Sequence, residues 1–250
     1  MVVRAAGTNC DIETQYAFEL AGAQAERVYI DEIKNRNLLD YQIIALPGGF
    51  TYGDDIAAGK ILANEIKYKL NDHFLRFIEK ENLIIGICNG FQVLVKCGIL
   101  PALERYFEPQ SVSLTANDSE RFEDRWVYLK VQSEHSVFTT GMKGIITLPV
   151  AHAEGKFVVK DNAVLEKIKE LVVFQYVDRN GREAGYPHNP NGSMLGIAGI
   201  ADKTGRILGL MPHPERFFSY IQHPEHTRED LPEEGDGFLV FKNAVNFFKN

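Results

Sequence analysis

Cysteine is scarce in this chain: Cys10, Cys88 and Cys97 are the only three among 250 residues. An odd, sparse set with no Cys-x-x-Cys spacing excludes a disulfide framework and a zinc ribbon, so no metal site is expected. Long apolar runs are also missing. The longest, Leu83 to Ile87 and Leu171 to Phe174, fall far short of the roughly 20 residues that span a bilayer. The N-terminus lacks the basic segment and apolar core of a signal peptide. A cytoplasmic chain with no membrane role is the expectation. Nor is there a basic excess: 27 Lys and Arg stand against 34 Asp and Glu, a formal charge of −7. That balance argues against a nucleic-acid binder and for small substrates or protein partners. Finally, no internal repeat or low-complexity linker divides the sequence. With 45% apolar and 24% charged residues, disorder, collagen and coiled coil are excluded. About three quarters of the surface of a chain this long can be buried. One domain over residues 1–250 is expected.

What is present is an alternation of short β-rich runs with helical stretches over the first hundred residues, the pattern of a parallel sheet wound with helices. Val2 to Ala5, Arg27 to Ile30, Gln42 to Leu46 and Leu83 to Ile87 read as strands. Helices are predicted over Asp11 to Ala21, Ile56 to Leu70, Asn71 to Glu81 and Asn89 to Cys97, with Gly22 and Gly98 suited to end the first and last. Beyond Phe107, Trp126 to Val131 and Ile145 to Val150 read as antiparallel elaboration. Leu171 to Val177, Leu195 to Ile200 and Ile207 to Met211 add strands, and a last helix covers Gly237 to Phe248. The fold class is α/β: a mostly parallel sheet with helices on both faces and antiparallel elaboration. The acidic stretch Arg228 to Asp236 reads as a solvated surface loop.

The strongest local signal is Gly86-Ile87-Cys88-Asn89-Gly90-Phe91-Gln92. A cysteine between an apolar strand and a helix is the pattern of a nucleophile elbow, where glycines two before and two after let the backbone turn sharply. The positive end of the helix beneath favours an anionic sulfur. Taken alone, the same residue is equally compatible with a small buried cysteine at a strand end. Cys10 also follows a strand, but the neighbouring Asp11 opposes an anion there, and Cys97 lies in an apolar helical stretch that reads as core.

A cysteine nucleophile needs a base. The apolar run Ile207 to Met211 leads into Pro212-His213-Pro214-Glu215, where prolines hold the backbone extended. Extended residues two apart project to one side, so Glu215 can orient His213. His223-Pro224-Glu225 repeats the tripeptide without a preceding buried strand and reads as chance recurrence on a surface loop. After the third strand, Pro47-Gly48-Gly49-Phe50-Thr51-Tyr52-Gly53-Asp54 offers bare backbone N–H groups, which an oxyanion hole requires; an ordinary tight turn has the same pattern. Gly53 to Lys60 imitates a phosphate-binding loop, but five residues separate its glycines and Ile61 stands where a Ser or Thr should bind magnesium.

Together these segments resemble the triad glutamine amidotransferases, with G-x-C-x-G-x-Q after one strand and H-P-E after another. Within that superfamily the Pro47 to Asp54 and Cys88 to Gln92 segments are similar to one branch. So are Arg121-Phe122-Glu123, Ala151-His152-Ala153-Glu154-Gly155, Asn189-Pro190-Asn191-Gly192-Ser193 and Met211 to Arg216. That branch is the glutaminase subunits of phosphoribosylformylglycinamidine synthase, in purine biosynthesis. The likeness spans nearly the whole chain. Ala153 replaces a usual glycine, Thr51 a commoner serine, and the first strand begins only one residue after Met1.

The resemblance implies glutamine hydrolysis by the triad Cys88, His213 and Glu215. Gly49 and Asn89 would supply the oxyanion donors, and Gly48 and Gln92 would contact the substrate. It implies no cofactor in this chain, with ATP and magnesium held by a large synthetase subunit, and optionally a small accessory subunit in the same complex. Two other readings stay open: a stand-alone cysteine hydrolase, which would turn over at full rate alone, and a non-enzymatic subunit, which would tolerate loss of Cys88.

Overall fold

The computed structural model describes residues 1–249. Its elements in chain order begin with β1 (Val2–Arg4), α1 (Asp11–Leu20), β2 (Arg27–Tyr29), α2 (Ile30–Ile33) and β3 (Ile43–Leu46). Next come α3 (Lys60–Lys69), α4 (Asn71–Glu79), β4 (Leu83–Ile87) and α5 (Asn89–Cys97). The middle of the chain adds β5 (Val112–Ala116), β6 (Glu123–Val131), β7 (Ile145–His152), β8 (Glu154–Val159) and α6 (Asn162–Lys169). The chain closes with β9 (Val172–Val177), β10 (Ile197–Ala201), β11 (Ile207–Leu210) and α7 (Phe238–Phe247).

Nine strands form one sheet in the order β2-β1-β3-β4-β11-β10-β9-β6-β7. The first five run parallel, and β10, β9, β6 and β7 extend the sheet by antiparallel pairing. This is the α/β sheet with antiparallel elaboration that the alternation of runs predicts. Helices α1 and α7 pack together as one layer, while α3, α4 and α5 form another. Every residue of β4 and β11 is buried, as continuous apolar runs in a doubly covered sheet must be. Because β11 lies parallel beside β4, pairing Leu210 with Ile87, the residues that follow the two strands emerge at the same sheet edge.

Several expectations needed tertiary correction. The helix predicted from Ile56 starts only at Lys60, because Asp54, Ala58 and Gly59 are drawn into polar contacts instead. Gly59 adopts φ +70° and carries no Cβ; one there would meet Val93 Cγ2 at 2.8 Å. The short β-pair β5–β8 and helix α6 were not foreseen; Asp161 caps α6 by accepting from the Val164 N–H at 2.9 Å. The acidic stretch is mostly exposed, yet Asp236 reaches back to accept from the Thr147 N–H at 2.7 Å.

Candidate active site

The elbow is built as the glycine spacing implies. Cys88 follows β4 with φ 51° and ψ −106°, a conformation that costs energy for any non-glycine residue. A Cβ on Gly90 would collide with the Leu46 carbonyl, and one on Gly86 would lie 2.6 Å from the Gly90 carbonyl oxygen. The Cys88 N–H donates to the Leu210 carbonyl at 2.8 Å, which ties the elbow to the strand leading to His213.

His213 and Glu215 are both buried, with His213 Nδ1 2.6 Å from Glu215 Oε1. The pairing does not come from an extended chain. Pro214–Arg216 forms one 3-10 turn, closed by the Arg216 N–H on the His213 carbonyl at 3.2 Å, and the turn brings the carboxylate under the ring. Among the described residues, His213 Nε2 is buried with no hydrogen-bond partner, leaving it free for proton transfer. Burial opposes a charge on this imidazole, but Glu215, Cys88 and Cys10 outweigh it and hold the pKa well above the ordinary value.

Cys10 is closer to this centre than its sequence position foretold. Its sulfur is 3.1 Å from Arg216 Nη2, and it shares with His213 and Glu215 a cluster whose donor atoms lie within 4.8 Å of one another. Burial raises the Cys10 thiol pKa, with Glu215 adding to the effect. Asp11 is occupied elsewhere, paired with Arg4 at 3.4 Å and Arg27 at 3.3 Å. Cys97 is core, its thiol pushed up to about 12 by burial.

The glycine loop lies against residues 7–10. The Gly48 carbonyl accepts from the Asn9 and Cys10 N–H groups at 3.4 and 3.2 Å, and the Phe50 N–H donates to Gly7 at 2.9 Å. Gly49 bridges Thr8 at a position of this antiparallel pair where its own N–H points away from the partner. Among the described residues, neither the Gly49 nor the Asn89 N–H has a protein acceptor. Gln92 is buried; its Oε1 accepts from Asn89 Nδ2 at 3.0 Å and its amide nitrogen donates to the Glu154 carbonyl.

The remaining motifs assemble around the β7–β8 turn. The Ala151 carbonyl oxygen lies 3.7 Å from Cys88 Sγ. The His152 ring occupies the space a Gly155 Cβ would need, and neither ring nitrogen has a partner among the described residues. Burial, then the charge of His213, lowers its pKa to about 3. Asn117 Oδ1 accepts from the Gly155 N–H at 3.0 Å, and Asn191 Nδ2 donates to the Gly155 carbonyl at 2.9 Å. Ser193 Oγ accepts from the Phe157 N–H at 2.9 Å. Asn189 to Ser193 is thus a brace for this turn. Glu123 is buried at the start of β6, opposite His152, and pairs with Arg125, which lies 4.9 Å from the Tyr186 ring.

In the second His-Pro-Glu, Pro224 and Glu225 are exposed, as on a surface loop, but the histidine is not. His223 is buried, its ring 4.7 Å from that of Trp126 and 5.5 Å from that of Phe217. Aromatic packing, invisible to local sequence, explains its presence.

A cysteine elbow, a buried His-Glu pair at the same sheet edge and an opposed glycine loop, on this mixed sheet, define a class I glutamine amidotransferase. The family profile of the CobB/CobQ-like glutamine amidotransferase domain matches residues 1–248. The phosphoribosylformylglycinamidine synthase subunit PurQ of Dehalococcoides mccartyi is 51% identical, over 99% of this chain and 96% of that protein. The subunit of the same name from Methanococcus maripaludis is 42% identical, over 99% and 97%. The solved structure of PurLQS from Thermotoga maritima contains a chain with TM-score 0.75 and 32% identity, covering 99% of this chain and 97% of that one. This chain belongs to the PurQ family of phosphoribosylformylglycinamidine synthase subunits.

Proposed function

We propose that this chain hydrolyses glutamine to glutamate and ammonia and supplies the ammonia to a large synthetase subunit. That subunit converts formylglycinamide ribonucleotide to formylglycinamidine ribonucleotide in purine biosynthesis. The observation that carries this reading is the buried His213–Glu215 pair at 2.6 Å, whose free Nε2 stands at the sheet edge where Cys88 turns.

In this reading Cys88 attacks the side-chain carboxamide carbon of glutamine. The oxyanion that forms takes hydrogen bonds from the Gly49 and Asn89 N–H groups, each worth roughly 3 to 4 kcal/mol in comparable sites. The tetrahedral carbon then expels nitrogen as the His213 imidazolium protonates it, leaving a γ-glutamyl thioester on Cys88. The imidazole, now neutral, takes a proton from water, hydroxide adds to the thioester, and collapse returns the thiolate and glutamate. Glu215 holds the ring and stabilises its charged form. Gly48 and Gln92 contact the substrate; Gln92 does so by exchanging its present partners. Residues 1–250 act as one glutaminase domain in the cytoplasm. This chain needs no cofactor, ATP and magnesium belong to the synthetase subunit, and a small accessory subunit can join the same complex.

The test is asymmetric. In a complex reconstituted with the synthetase subunit, Cys88→Ala should abolish glutamine as nitrogen donor, while high ammonium still supports synthesis. Loss of both activities in a complex that still assembles would overturn this division of labour, and so would full glutamine turnover by the variant.

A further inference from the structure

The two oxyanion donors proposed above lie on separate segments. Gly49 sits in the loop after β3, and Asn89 is the first residue of α5. Nothing covalent sets the distance between them, yet stabilisation of an oxyanion depends on donors held near 3 Å from it.

We propose that Thr51 and the side chain of Asn89 form a clasp that sets the separation of the two donors. Thr51 lies two residues beyond Gly49. Its hydroxyl donates to Asn89 Oδ1 at 2.7 Å and its N–H donates to the same oxygen at 3.3 Å. Both residues are sealed from water, with Thr51 2% and Asn89 1% exposed. On its other side the Asn89 amide donates to Asp54 Oδ1 at 3.1 Å and to Gln92 Oε1 at 3.0 Å. The side chain thereby uses both hydrogens and both lone-pair directions, which leaves one orientation.

The loop needs such a hold. Tyr52, Gly53 and Asp54 are consecutively left-handed, with φ of 55°, 71° and 53°, and two of them carry a Cβ. Strain of this kind persists only where surrounding contacts over-determine it. Asp54 Oδ1 also accepts from the Gly59 N–H at 3.1 Å, so the far end of the turn is fastened to the same carboxylate. Thr51 and Asn89 are accordingly positioning residues: the hydroxyl and the amide touch each other, and their effect reaches the substrate through backbone N–H groups.

The inference rests on the oxyanion assignment made above, and the experiment separates the two. In the reconstituted complex, Thr51→Val keeps the shape of the side chain and removes the hydroxyl, whereas Thr51→Ser keeps the hydroxyl and removes the methyl. Thr51→Val should lower kcat for glutamine hydrolysis at least ~10-fold with KM little changed, since misplacing a donor weakens the transition state and not the bound substrate. Thr51→Ser should stay within about twofold of the parent. Glutamate γ-semialdehyde, which forms a tetrahedral adduct on Cys88, should lose affinity for Thr51→Val in proportion to kcat/KM. Co-elution of the variant with the synthetase subunit reports an intact complex; if valine prevents assembly, Thr51→Ala, which cannot overpack, must show the same kcat loss. Full kcat in Thr51→Val, or an equal loss in Thr51→Ser, would overturn the clasp. Persistence of hydrolysis in Cys88→Ala would instead overturn the reading beneath it.

Discussion

The space in which Gly48 would carry a side chain is filled by the imidazole of His213: an added Cβ would lie 2.7 Å from Cε1 of the ring and 3.0 Å from the Cys10 sulfur. The glycine loop and the His213 ring therefore sit in van der Waals register. Gly48→Ala should push the ring off its pairing with Glu215 and cost about 100-fold in kcat, the scale of an ~1 Å misplacement. Gly185→Ala, which meets nothing within 4 Å, serves as the control. Steady-state kinetics with a thermal melt would decide; an active Gly48→Ala would mean that the loop yields.

The three cysteines should differ in kind. A glutamine-analogue electrophile should label Cys88 alone, because burial raises the pKa of the Cys10 thiol and pushes that of Cys97 to about 12. Cys88→Ala should eliminate glutaminase activity, and Cys10→Ala and Cys97→Ala should leave the chemistry in place. Peptide mapping of the labelled protein checks this, and comparable labelling at Cys10 would contradict it.

Glu215→Gln keeps a hydrogen-bond acceptor beside His213 Nδ1 and removes the charge. Burial would then act on the imidazolium with less opposition, so its pKa falls from its raised position. On the proposed mechanism, the alkaline limb of the pH profile, where the imidazolium that protonates the departing nitrogen is lost, should move to lower pH. The rate loss should be smaller than that of His213→Ala, for which roughly 100 to 10,000-fold is typical. An unmoved limb would show that Glu215 does not govern the charge.

His152 gives a stability prediction. Its pKa falls from the ordinary 6.5 to about 3 in the folded protein, so between these values the unfolded chain binds the extra proton. The contribution of this group to stability is complete above pH 6.5 and is lost progressively as pH falls toward 3. Urea unfolding at pH 7.5 and 4.5 should show the parent losing more stability than His152→Asn, by about a few kcal/mol. Equal losses would place the acid sensitivity in other groups.

The elbow and the His-Pro-Glu segment were legible because each is a local device. Gly86, Cys88 and Gly90 meet a steric demand within five residues, and His213 and Glu215 are joined by one turn of chain. Unbroken apolar runs likewise determined the central parallel strands β3, β4 and β11, which are buried on both faces. Other features belong to residues far apart in sequence, and no local pattern records them. The Thr51–Asn89 contact crosses 38 positions and Asn191–Gly155 crosses 36, while His223 is read as surface until Trp126 and Phe217 enclose it. The late start of α3 has the same origin, because the long-range polar contacts of Asp54 and Ala58 outweigh the helical preference of Ile56 to Gly59. Sequence alone singled out Cys88, His213 and Glu215; only the tertiary structure decided how their spacing is held, because side chains from separate segments hold it.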